Sequence, residues 1–440
     1  MMIETRNTKE NLSTLIQEGK NLSMKFGFLG LGMGGTSIAA TCADIKTSIK
    51  NNHHPYTALL INSNEIDLTK VQPINSNTKK MLIGDGKGAG RDIAMGEELY
   101  KSKADEISNA VKTQFQDVDY VWLVAGLGGG TGTGAVIQAI GTLLNSGFSG
   151  KFGMILTLPR LKEGKTVLDN ALQRLKKIGS VMENLGPILL VDNEKLFTEF
   201  SQERPNSSVS EYLKFSNKYV AEALHELNTV TASYLPTSEY HFDSSEFEKI
   251  LKTPGLLHFA RFTEKASAID ASQQLSYAQK LKDLINRGVL SDGYDLNDAK
   301  RLAVSVLTDT LTANRLFTFE FTKTMEDLIN DISPTALEKP IATYQSNELK
   351  GTAGVSFYAV FAGLDLPKDR ITEMVLEHKK LQELENQKKE KIDLFAGFES
   401  ESSNKPTQNK SFDELFGNTD TDNNKVISDK DALMNKLFDN

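Results

Sequence analysis

The stretch GLGGGTGTG, residues 126–134, has the residue types and spacing to bind phosphate groups. It follows the apolar run 120–125, and six of its nine residues are glycine. Each glycine costs conformational entropy on folding, so the segment must need backbone that no side chain obstructs. Exposed N–H groups in such a loop would hold a phosphate, aided by the hydroxyls of Thr131 and Thr133 and by the dipole of a helix predicted over 135–144. A tight strand-to-helix crossing would explain one or two of the glycines, so phosphate binding is the favoured interpretation.

Two further glycine-rich segments, 30–35 and 84–90, follow other predicted strands. Three such loops at one edge of a sheet suggest a nucleoside triphosphate rather than a single phosphate. The first has the GxGxxG spacing of dinucleotide sites, but the next strand, 57–61, is followed by Asn62 and not by the acidic residue that holds a ribose. In a P-loop, a glycine is followed, after four intervening residues, by Gly-Lys and then by Ser or Thr. This pattern is absent from the sequence. A nicotinamide-dependent oxidoreductase remains as a less favoured alternative.

Two carboxylates, Asp243 and Glu246, could carry catalytic chemistry. They are three residues apart at the start of a predicted helix, 244–252, so both can point from one face. Acidic residues are also common at helix starts because the helix dipole favours them there. From the residues alone, a structural pair and a catalytic pair both stay open.

The elements that must position these residues alternate between helix and strand over residues 24–208. Short apolar runs predict buried strands at 24–29, 57–61, 120–125, 152–158 and 187–191. Helical patterns between them predict a doubly wound α/β domain around a parallel sheet. The glycine-rich loops would then meet at the carboxyl edge of that sheet, where ligands bind.

Beyond residue 208 the pattern changes. A long central helix is predicted over 209–230, followed by a smaller α+β domain over 231–367. Within that domain we expect helices at 244–252, 271–288 and 296–304 and strands at 303–307, 317–321 and 355–361. A C-terminal helix over 368–391 carries apolar residues at helical spacing. An N-terminal extension, 1–23, with one short helix at 12–17, and a disordered polar tail, 392–440, complete the predicted organisation.

Composition excludes several classes of protein. The 440 residues carry a formal net charge of −8, which argues against broad direct binding of nucleic acid. Cys42 is the single cysteine, so an internal disulfide and a cysteine-rich zinc site are excluded and a reducing compartment fits. No apolar run reaches the roughly 18 residues of a membrane helix, and residues 1–23 lack the apolar core of a signal peptide. These observations predict a cytoplasmic protein without membrane contact.

Over residues 24–366 the sequence resembles the tubulin/FtsZ superfamily, whose signature GGGTGTG stands at 128–134. The resemblance implies GTP and GDP as ligands, with Mg²⁺ as the counter-charge, and a smaller domain that activates hydrolysis. The nucleotide-binding residues that it implies are Gly32, Met33, Gly34, Gly35, Asn62, Asn64, Gly88, Ala89, Gly90, Gly126, Gly128, Gly129, Gly130, Thr131, Gly132, Thr133, Glu163, Asn193 and Asn217. Among them, Asn193 and Asn217 match the asparagines that recognise guanine, and either Tyr212 or Leu213 could cover the base.

By the same resemblance, Asp243 and Glu246 match a catalytic loop that enters the nucleotide site of the next subunit. There they would position the water that attacks the γ-phosphate, so hydrolysis would require head-to-tail assembly. The family usually has asparagine where this chain has His241. It also usually has aspartate at the position of Glu246, although glutamate occurs there in the superfamily.

The likeness is greatest to the plasmid- and phage-encoded branch, through KFGFLGLGMGG at 25–35 and SNKY at 216–219. Filaments that partition DNA through a DNA-binding, TubR-like adaptor would follow from that likeness. The tail, 392–440, has ten acidic residues against five lysines, a net charge of −5, which favours a protein partner over DNA. Its three Leu-Phe pairs, at 394–395, 415–416 and 437–438, are typical of docking motifs but also arise by chance. A cell-division GTPase remains the alternative within the family.

Overall fold

The computed structural model describes residues 21–47, 53–237, 242–269, 274–349 and 354–392. The predicted N-terminal helix at 12–17, His241 and the tail from 393 onward lie outside the described residues. The strands of the described part are β1 (Phe26–Leu31), β2 (Thr57–Asn62), β3 (Thr78–Leu82), β4 (Tyr120–Gly126), β5 (Phe152–Leu158), β6 (Pro187–Asp192), β7 (Leu235–Pro236), β8 (Gly255–Lys265), β9 (Arg301–Thr308), β10 (Ile341–Gln345) and β11 (Gly354–Leu364).

Thirteen α-helices accompany these strands in the same ranges. They are α1 (Gly32–Ala43), α2 (Glu65–Lys70), α3 (Ile93–Lys101), α4 (Ala104–Gln114), α5 (Gly130–Asn145), α6 (Lys165–Gly179), α7 (Asn193–Glu203), α8 (Val209–Ser233), α9 (Ser244–Leu251), α10 (Gln274–Ile285), α11 (Thr310–Leu316), α12 (Phe319–Ile332) and α13 (Lys368–Ile392). None of the helices that the structure describes combines the length and the apolar character needed to cross a membrane.

A single eleven-stranded sheet runs through the described residues in the order β3-β2-β1-β4-β5-β6-β8-β11-β9-β10-β7. The first six strands in this order are parallel, and β6 pairs in parallel with β8. The sheet then turns mixed, because β11 is antiparallel to both β8 and β9. Strands β1, β5 and β6 are buried along their whole length, as expected for a sheet covered by helices on both faces. The predicted fold, a parallel α/β half joined to a mixed half, is confirmed.

The central helix α8 connects the two edges of the parallel sheet. Ser208 caps it, and 25 residues give it a length of about 37 Å. Near its start, the Tyr212 hydroxyl donates to the Asn193 carbonyl at 3.1 Å, just beyond the carboxyl end of β6. Near its end, Asn228 exchanges two hydrogen bonds with the Met24 backbone, of 2.9 and 2.7 Å, just before β1 begins. The helix therefore runs from the carboxyl edge to the amino edge.

The C-terminal helix α13 packs on the parallel half of the molecule, and its predicted apolar stripe is confirmed. Met374 is fully buried and Val375 nearly so. Lys165, the first residue of α6, forms an ion pair with Glu385 of α13 at 2.7 Å. This long helix is therefore fixed along α6 as well as through its apolar face.

Several elements differ from the sequence expectation. The predicted strand 317–321 is wrong: Thr318 caps α12, and its hydroxyl accepts the Phe321 N–H at 3.2 Å. The alternation resembled a strand because Phe321 is buried while Phe319 is 98% exposed, but Met325 continues the buried face at helical spacing. The predicted helix 296–304 is also wrong, since a 3₁₀ turn, Leu296–Asp298, leads directly into β9.

Four strands were not predicted. β3 is a polar edge strand with two adjacent lysines, β7 is two residues long, β8 contains a histidine and an arginine, and β10 is five residues long. None of the four has the continuous apolar run by which β1, β2, β4, β5 and β6 were recognised.

Two buried histidines make stability depend on pH. Burial lowers the pKa of His225 and of His258 to about 4 in each case. In the unfolded chain a histidine titrates near 6.5, so between these values the unfolded state binds more protons than the folded one. We therefore expect the free energy of unfolding to fall as the pH drops from about 6.5 to about 4, by at most about 3 kcal/mol for each histidine. Urea unfolding at a series of pH values measures this slope.

The His225→Gln variant should start less stable, because it loses the hydrogen bond between the His225 ring and the Tyr56 hydroxyl (2.9 Å), but should show a shallower pH slope. Replacing the exposed His53 by glutamine provides the matched control and should leave the slope as it is in the unmodified protein. An equal slope in the His225 variant would contradict the assignment.

Candidate nucleotide-binding site

A cavity of ≈ 430 Å³ lies at the carboxyl edge of the parallel sheet. Segments at the ends of six neighbouring strands, β1 to β6, form its wall. The predicted nucleotide-binding residues that line it are Gly32, Met33, Gly34, Asn62, Asn64, Gly88, Ala89, Gly90, Gly126, Gly128, Gly129, Gly130, Thr131, Gly132, Glu163 and Asn193. The parallel topology therefore brings most of the predicted set to one place.

Three predicted residues do not line this cavity. A Cβ added to Gly35 would lie 2.2 Å from the Val124 carbonyl oxygen, so this glycine allows α1 to pack on β4. The Thr133 hydroxyl donates to the Gly126 carbonyl at 3.1 Å, inside the loop. Asn217 lines an adjoining cavity of ≈ 330 Å³, which shares Met33, Gly34 and Asp67 with the first.

Two helices begin at the cavity without a side-chain cap. The residue before α1 is Leu31 and the residue before α5 is Gly129, and neither donates or accepts a capping hydrogen bond through a side chain. Side chains cap α2, α3, α7, α8, α9, α11 and α12, whereas α4 and α6 also begin without a side-chain cap. The first N–H groups of an α-helix have no partner within the helix and carry the positive end of its dipole. The starts of α1 and α5 are therefore suited to bind an anion such as phosphate.

Packing explains more of the glycines in the signature than expected. A Cβ at Gly128 would lie 2.6 Å from Val167, and Cβ atoms at Gly130, Gly132 and Gly134 would lie within 2.9 Å of other backbone or Cβ atoms. At Gly129 an added Cβ would meet nothing within 4 Å. The expectation that packing accounts for only one or two glycines is therefore wrong. The loops around the cavity need small residues because they approach one another so closely.

Asn62, at the end of β2, presents a buried donor to the cavity. The residue is 2% exposed, and its Nδ2 has no hydrogen-bond partner among the described residues. Its Oδ1 accepts the Asn64 N–H at 3.3 Å. A buried donor without an acceptor is costly, so a bound ligand that offers an oxygen would relieve this cost.

The loop after β6 forms the opposite end of the cavity. Asn193 begins α7, and its carbonyl accepts the hydrogen bond of the Tyr212 hydroxyl. The Tyr212 ring is buried against Phe197, with ring centroids 5.1 Å apart, whereas Leu213 is 51% exposed and lines the adjoining cavity. Of the two residues that the sequence left open, Leu213 lies on the surface of the adjoining cavity, and neither lines the nucleotide cavity itself.

A buried arginine of the C-terminal helix supports this end of the cavity. Arg370 donates through Nε to Asp192 Oδ2 and through Nη2 to the Pro159 carbonyl, both at 2.9 Å. Pro159 lines the cavity, and Asp192 caps α7 directly before Asn193. Burial raises the pKa of the Asp192 carboxyl, although the charge of Arg370 acts in the opposite direction. Helix α13 is thus bound to both loops at this end.

Sequence reasoning missed several residues of the cavity wall, among them two with basic side chains. Lys87 and Arg91 both line it, on the loop between β3 and α3, and Asp67 lines it from α2. The available signal was the segment GDGKGAGR at 84–91, in which two basic residues interrupt a glycine-rich loop.

The predicted catalytic acids begin helix α9. The Asp243 Oδ1 accepts the N–H groups of Ser245 and Glu246 at 2.8 and 2.9 Å and so caps the helix. Glu246 forms an ion pair with Lys249 at 2.9 Å. Both acids therefore fulfil the structural role that the sequence left open beside the catalytic one.

The acidic pair lies at the amino edge of the sheet, away from the cavity. The preceding helix ends there, where the Ser233 hydroxyl donates to the Asn21 carbonyl at 2.7 Å. The end of α9 is fixed at the same edge, because the hydroxyl of Tyr120, the first residue of β4, donates to the Leu251 carbonyl at 2.8 Å. Gly126, at the other end of β4, lines the cavity, and a strand of this length spans about 20 Å.

Comparisons with known proteins agree with this architecture. Residues 25–200 match the GTPase domain of the tubulin/FtsZ family, and residues 240–368 match the C-terminal domain of the tubulin-like protein TubZ. The TubZ proteins of Bacillus cereus and Bacillus anthracis are each 42% identical to this chain over 412 residues, which cover 91% of this chain and 94% of each relative. Cell division protein FtsZ 1 of Methanocaldococcus jannaschii is 36% identical over 129 residues, 27% of this chain and 31% of that protein.

Solved structures share the fold. A GTPγS-form protofilament of TubZ from Bacillus thuringiensis serovar israelensis matches with a TM-score of 0.71 at 20% identity, covering 86% of this chain and 96% of that one. The four-stranded TubZ-Bt filament matches with a TM-score of 0.74 at 19% identity, covering 90% and 99%. With the sequence identity to the two Bacillus relatives, these matches lead to one assignment: the chain belongs to the tubulin/FtsZ family, in its TubZ branch.

Proposed function

We propose that this protein binds GTP in the cavity at the carboxyl edge and hydrolyses it to GDP and phosphate. The observation that carries the proposal is the pair of uncapped helix starts, α1 and α5, that face one cavity. They supply N–H groups for the phosphates of a nucleotide whose base lies near Asn193. The unpaired Asn62 amide supports a bound ligand and disfavours the dinucleotide alternative, which needs a carboxylate at that position.

Mg²⁺ is proposed to accompany the nucleotide and to neutralise charge on the β- and γ-phosphate oxygens. No group of three or more His, Cys, Asp or Glu residues that could hold a metal occurs in the described ranges. The acidic residues that line the cavity are Asp67 and Glu163. This donor set fits an ion that is held mainly by phosphate oxygens and water, which is the usual arrangement for Mg²⁺ with nucleotides.

Head-to-tail assembly would complete the hydrolytic site. Stacking subunits along the strand direction brings the amino edge of one chain, with Asp243 and Glu246, to the cavity of the next. Relatives of the same fold are described as protofilaments and as two- and four-stranded filaments, which supports a filament for this chain too. The carboxylates would orient the water that attacks the γ-phosphorus while the bond to the bridging oxygen breaks. Phosphoryl transfer depends mostly on such positioning, so a site divided between subunits suffices.

The cellular role that we propose is partition of plasmid or phage DNA in the bacterial cytoplasm. The match of residues 240–368 to the TubZ C-terminal domain favours this role over cell division. The acidic charge and Leu-Phe pairs of the tail, 392–440, favour a DNA-binding adaptor protein as the partner.

Nucleotide selectivity tests whether the end of the cavity at Asn193 recognises guanine. We expect GTP to compete with fluorescent GTP for the cavity, whereas ATP and NAD should not compete. The Asn193→Ala variant should lose about tenfold or more in affinity for GTP, because it removes hydrogen bonds to the base. The exposed Asn109, on α4, gives a control alanine variant that should bind like the unmodified protein. Equal competition by NAD would point to the oxidoreductase instead.

Phosphate release tests the divided site. Turnover per molecule should be near zero at low protein concentration and rise steeply above a threshold. The Asp243→Asn and Glu246→Gln variants should still bind GTP but should lose hydrolysis and form longer-lived filaments. Asparagine retains the helix cap at position 243, so a loss there reports the carboxylate charge rather than the stability of α9.

The control for these two variants is Glu248→Gln. Glu248 lies on the same helix and forms an ion pair with Lys252 at 2.6 Å, and its loss should leave turnover intact. Turnover per molecule that is independent of protein concentration would rule out the divided site.

Deleting residues 393–440 tests the role of the tail. The shortened protein should keep concentration-dependent GTP turnover, because the cavity and α9 lie outside the deleted segment. It should no longer bind the DNA-bound adaptor of its own replicon in a sedimentation assay. Unchanged adaptor binding would remove the docking role from the tail.

A further inference from the structure

Arg91 has a backbone conformation that arginine rarely adopts. Its φ of 68° is left-handed, and no other residue except glycine shares that conformation in the ranges that the structure describes. With Gly90, at φ 54°, it forms the centre of a turn closed by the Asp92 N–H on the Ala89 carbonyl at 2.8 Å. Two successive residues with positive φ define a type I′ turn, which favours glycine or asparagine at both positions. A glycine would remove the strain at position 91, so the arginine side chain must have a use that outweighs it.

The turn is held in place by a buried amide. Asn170, on α6, is 5% exposed, and its Nδ2 donates to the Arg91 carbonyl at 2.8 Å and to the Gly128 carbonyl at 3.2 Å. One side chain therefore ties the turn to the GGGTGTG loop. Arg91 is fixed relative to the start of α5, where a phosphate would bind.

Of the two basic side chains that line the cavity, Arg91 is the one without an ion-pair partner among the described residues. Lys87 forms an ion pair with Asp85 at 2.9 Å. Arg91 is exposed, lines the cavity and makes no ion pair with any residue in the part of the chain that the structure describes. Its charge is thus available to a ligand.

The position of Arg91 in the sheet order indicates which part of the ligand it would contact. In the sheet order, the loop after β6, with Asn193, lies farthest from the loop after β3, with Arg91. The uncapped starts of α1 and α5 follow β1 and β4, which lie between them. A nucleotide whose base lies near Asn193 therefore extends its phosphates toward Arg91, and the last phosphate comes nearest.

We infer that Arg91 binds the terminal phosphate of GTP in its own subunit and makes the cavity prefer a triphosphate to a diphosphate. The inference rests on the proposed function, since it needs GTP in this cavity. A guanidinium offers two parallel N–H groups to phosphate oxygens and stays charged at every physiological pH. It supplies in this fold the positive charge that the lysine of a P-loop supplies elsewhere.

Equilibrium binding of fluorescent GTPγS and fluorescent GDP to the full chain, below its assembly threshold, tests the inference. The Arg91→Ala and Arg91→Gly variants should lose about tenfold or more in GTPγS affinity but about threefold or less in GDP affinity, as expected for one charge-assisted contact. Arg91→Lys should recover part of the loss. Lys80→Ala, which changes an exposed lysine of β3 that does not line the cavity, is the matched control and should bind both ligands as the unmodified protein does.

The nucleotide-free Arg91→Gly variant should unfold thermally at the same temperature as the unmodified protein or higher, because glycine accepts the left-handed backbone. A stable variant with weakened GTPγS binding separates phosphate contact from a structural role. If the ratio of GTPγS affinity to GDP affinity is unchanged in both variants, the inference is overturned, whether both affinities stay the same or both fall equally. An unchanged ratio together with a raised assembly threshold would show that Arg91 contacts the next subunit instead. An unmodified protein that binds neither nucleotide would refute the proposed function itself.

Discussion

Around the cavity, backbone segments approach one another more closely than any side chain allows. A Cβ at Gly96 would lie 2.2 Å from the Gly130 carbonyl oxygen, and one at Gly134 would lie 2.4 Å from the Ile93 carbonyl oxygen. This contact between α3 and α5 sets the position of the loop after β3 relative to the start of α5. Gly130 and Gly132, which are similarly crowded, stand at the uncapped start of α5 and leave its N–H groups uncovered. Packing and phosphate binding are therefore two results of one constraint, and a substitution by alanine would damage both.

The second organising feature is the polarity of the molecule along its strands. The cavity occupies the carboxyl edge, the acidic pair occupies the amino edge, and α8 spans the distance between them with a buried hydrogen-bonding residue near each end. Neither edge alone holds both a phosphate site and the candidate acids. In a polymer whose identical subunits all point in one direction, each contact joins the carboxyl edge of one subunit to the amino edge of the next. The acidic pair of one subunit would then lie beside the cavity of its neighbour. The assembly that we propose would have a heterologous interface, which leads to open filaments rather than closed dimers.

Much of the fold could be predicted because the parallel strands are continuous apolar runs followed by glycine. Strand β8 was not predicted because polar side chains interrupt its apolar pattern. These side chains bind neighbouring elements: the His258 ring bonds to the Ile285 carbonyl at 2.7 Å, and Arg261 pairs with the buried Glu226. In the site, spacing and resemblance located the glycine-rich loops that line the cavity but could not show which atoms each glycine approaches. The contribution of Arg91 was hidden because a backbone angle, not a residue type, distinguishes it. The Arg370 contacts join positions about 180 or more residues apart, which no local pattern records.

Helix α13 contacts the end of the cavity near Asn193 through Arg370, close to its own start, and is fixed again at Glu385 nearer its far end. With 25 residues it forms a rod of about 37 Å. Contacts of α13 thus reach α6 at Lys165 and the cavity loops at Pro159 and Asp192. If the tail carries a load, as the proposed function requires, α13 would pass that load to the loops that hold the nucleotide, and the time for which a subunit keeps its nucleotide would depend on the pull on its tail.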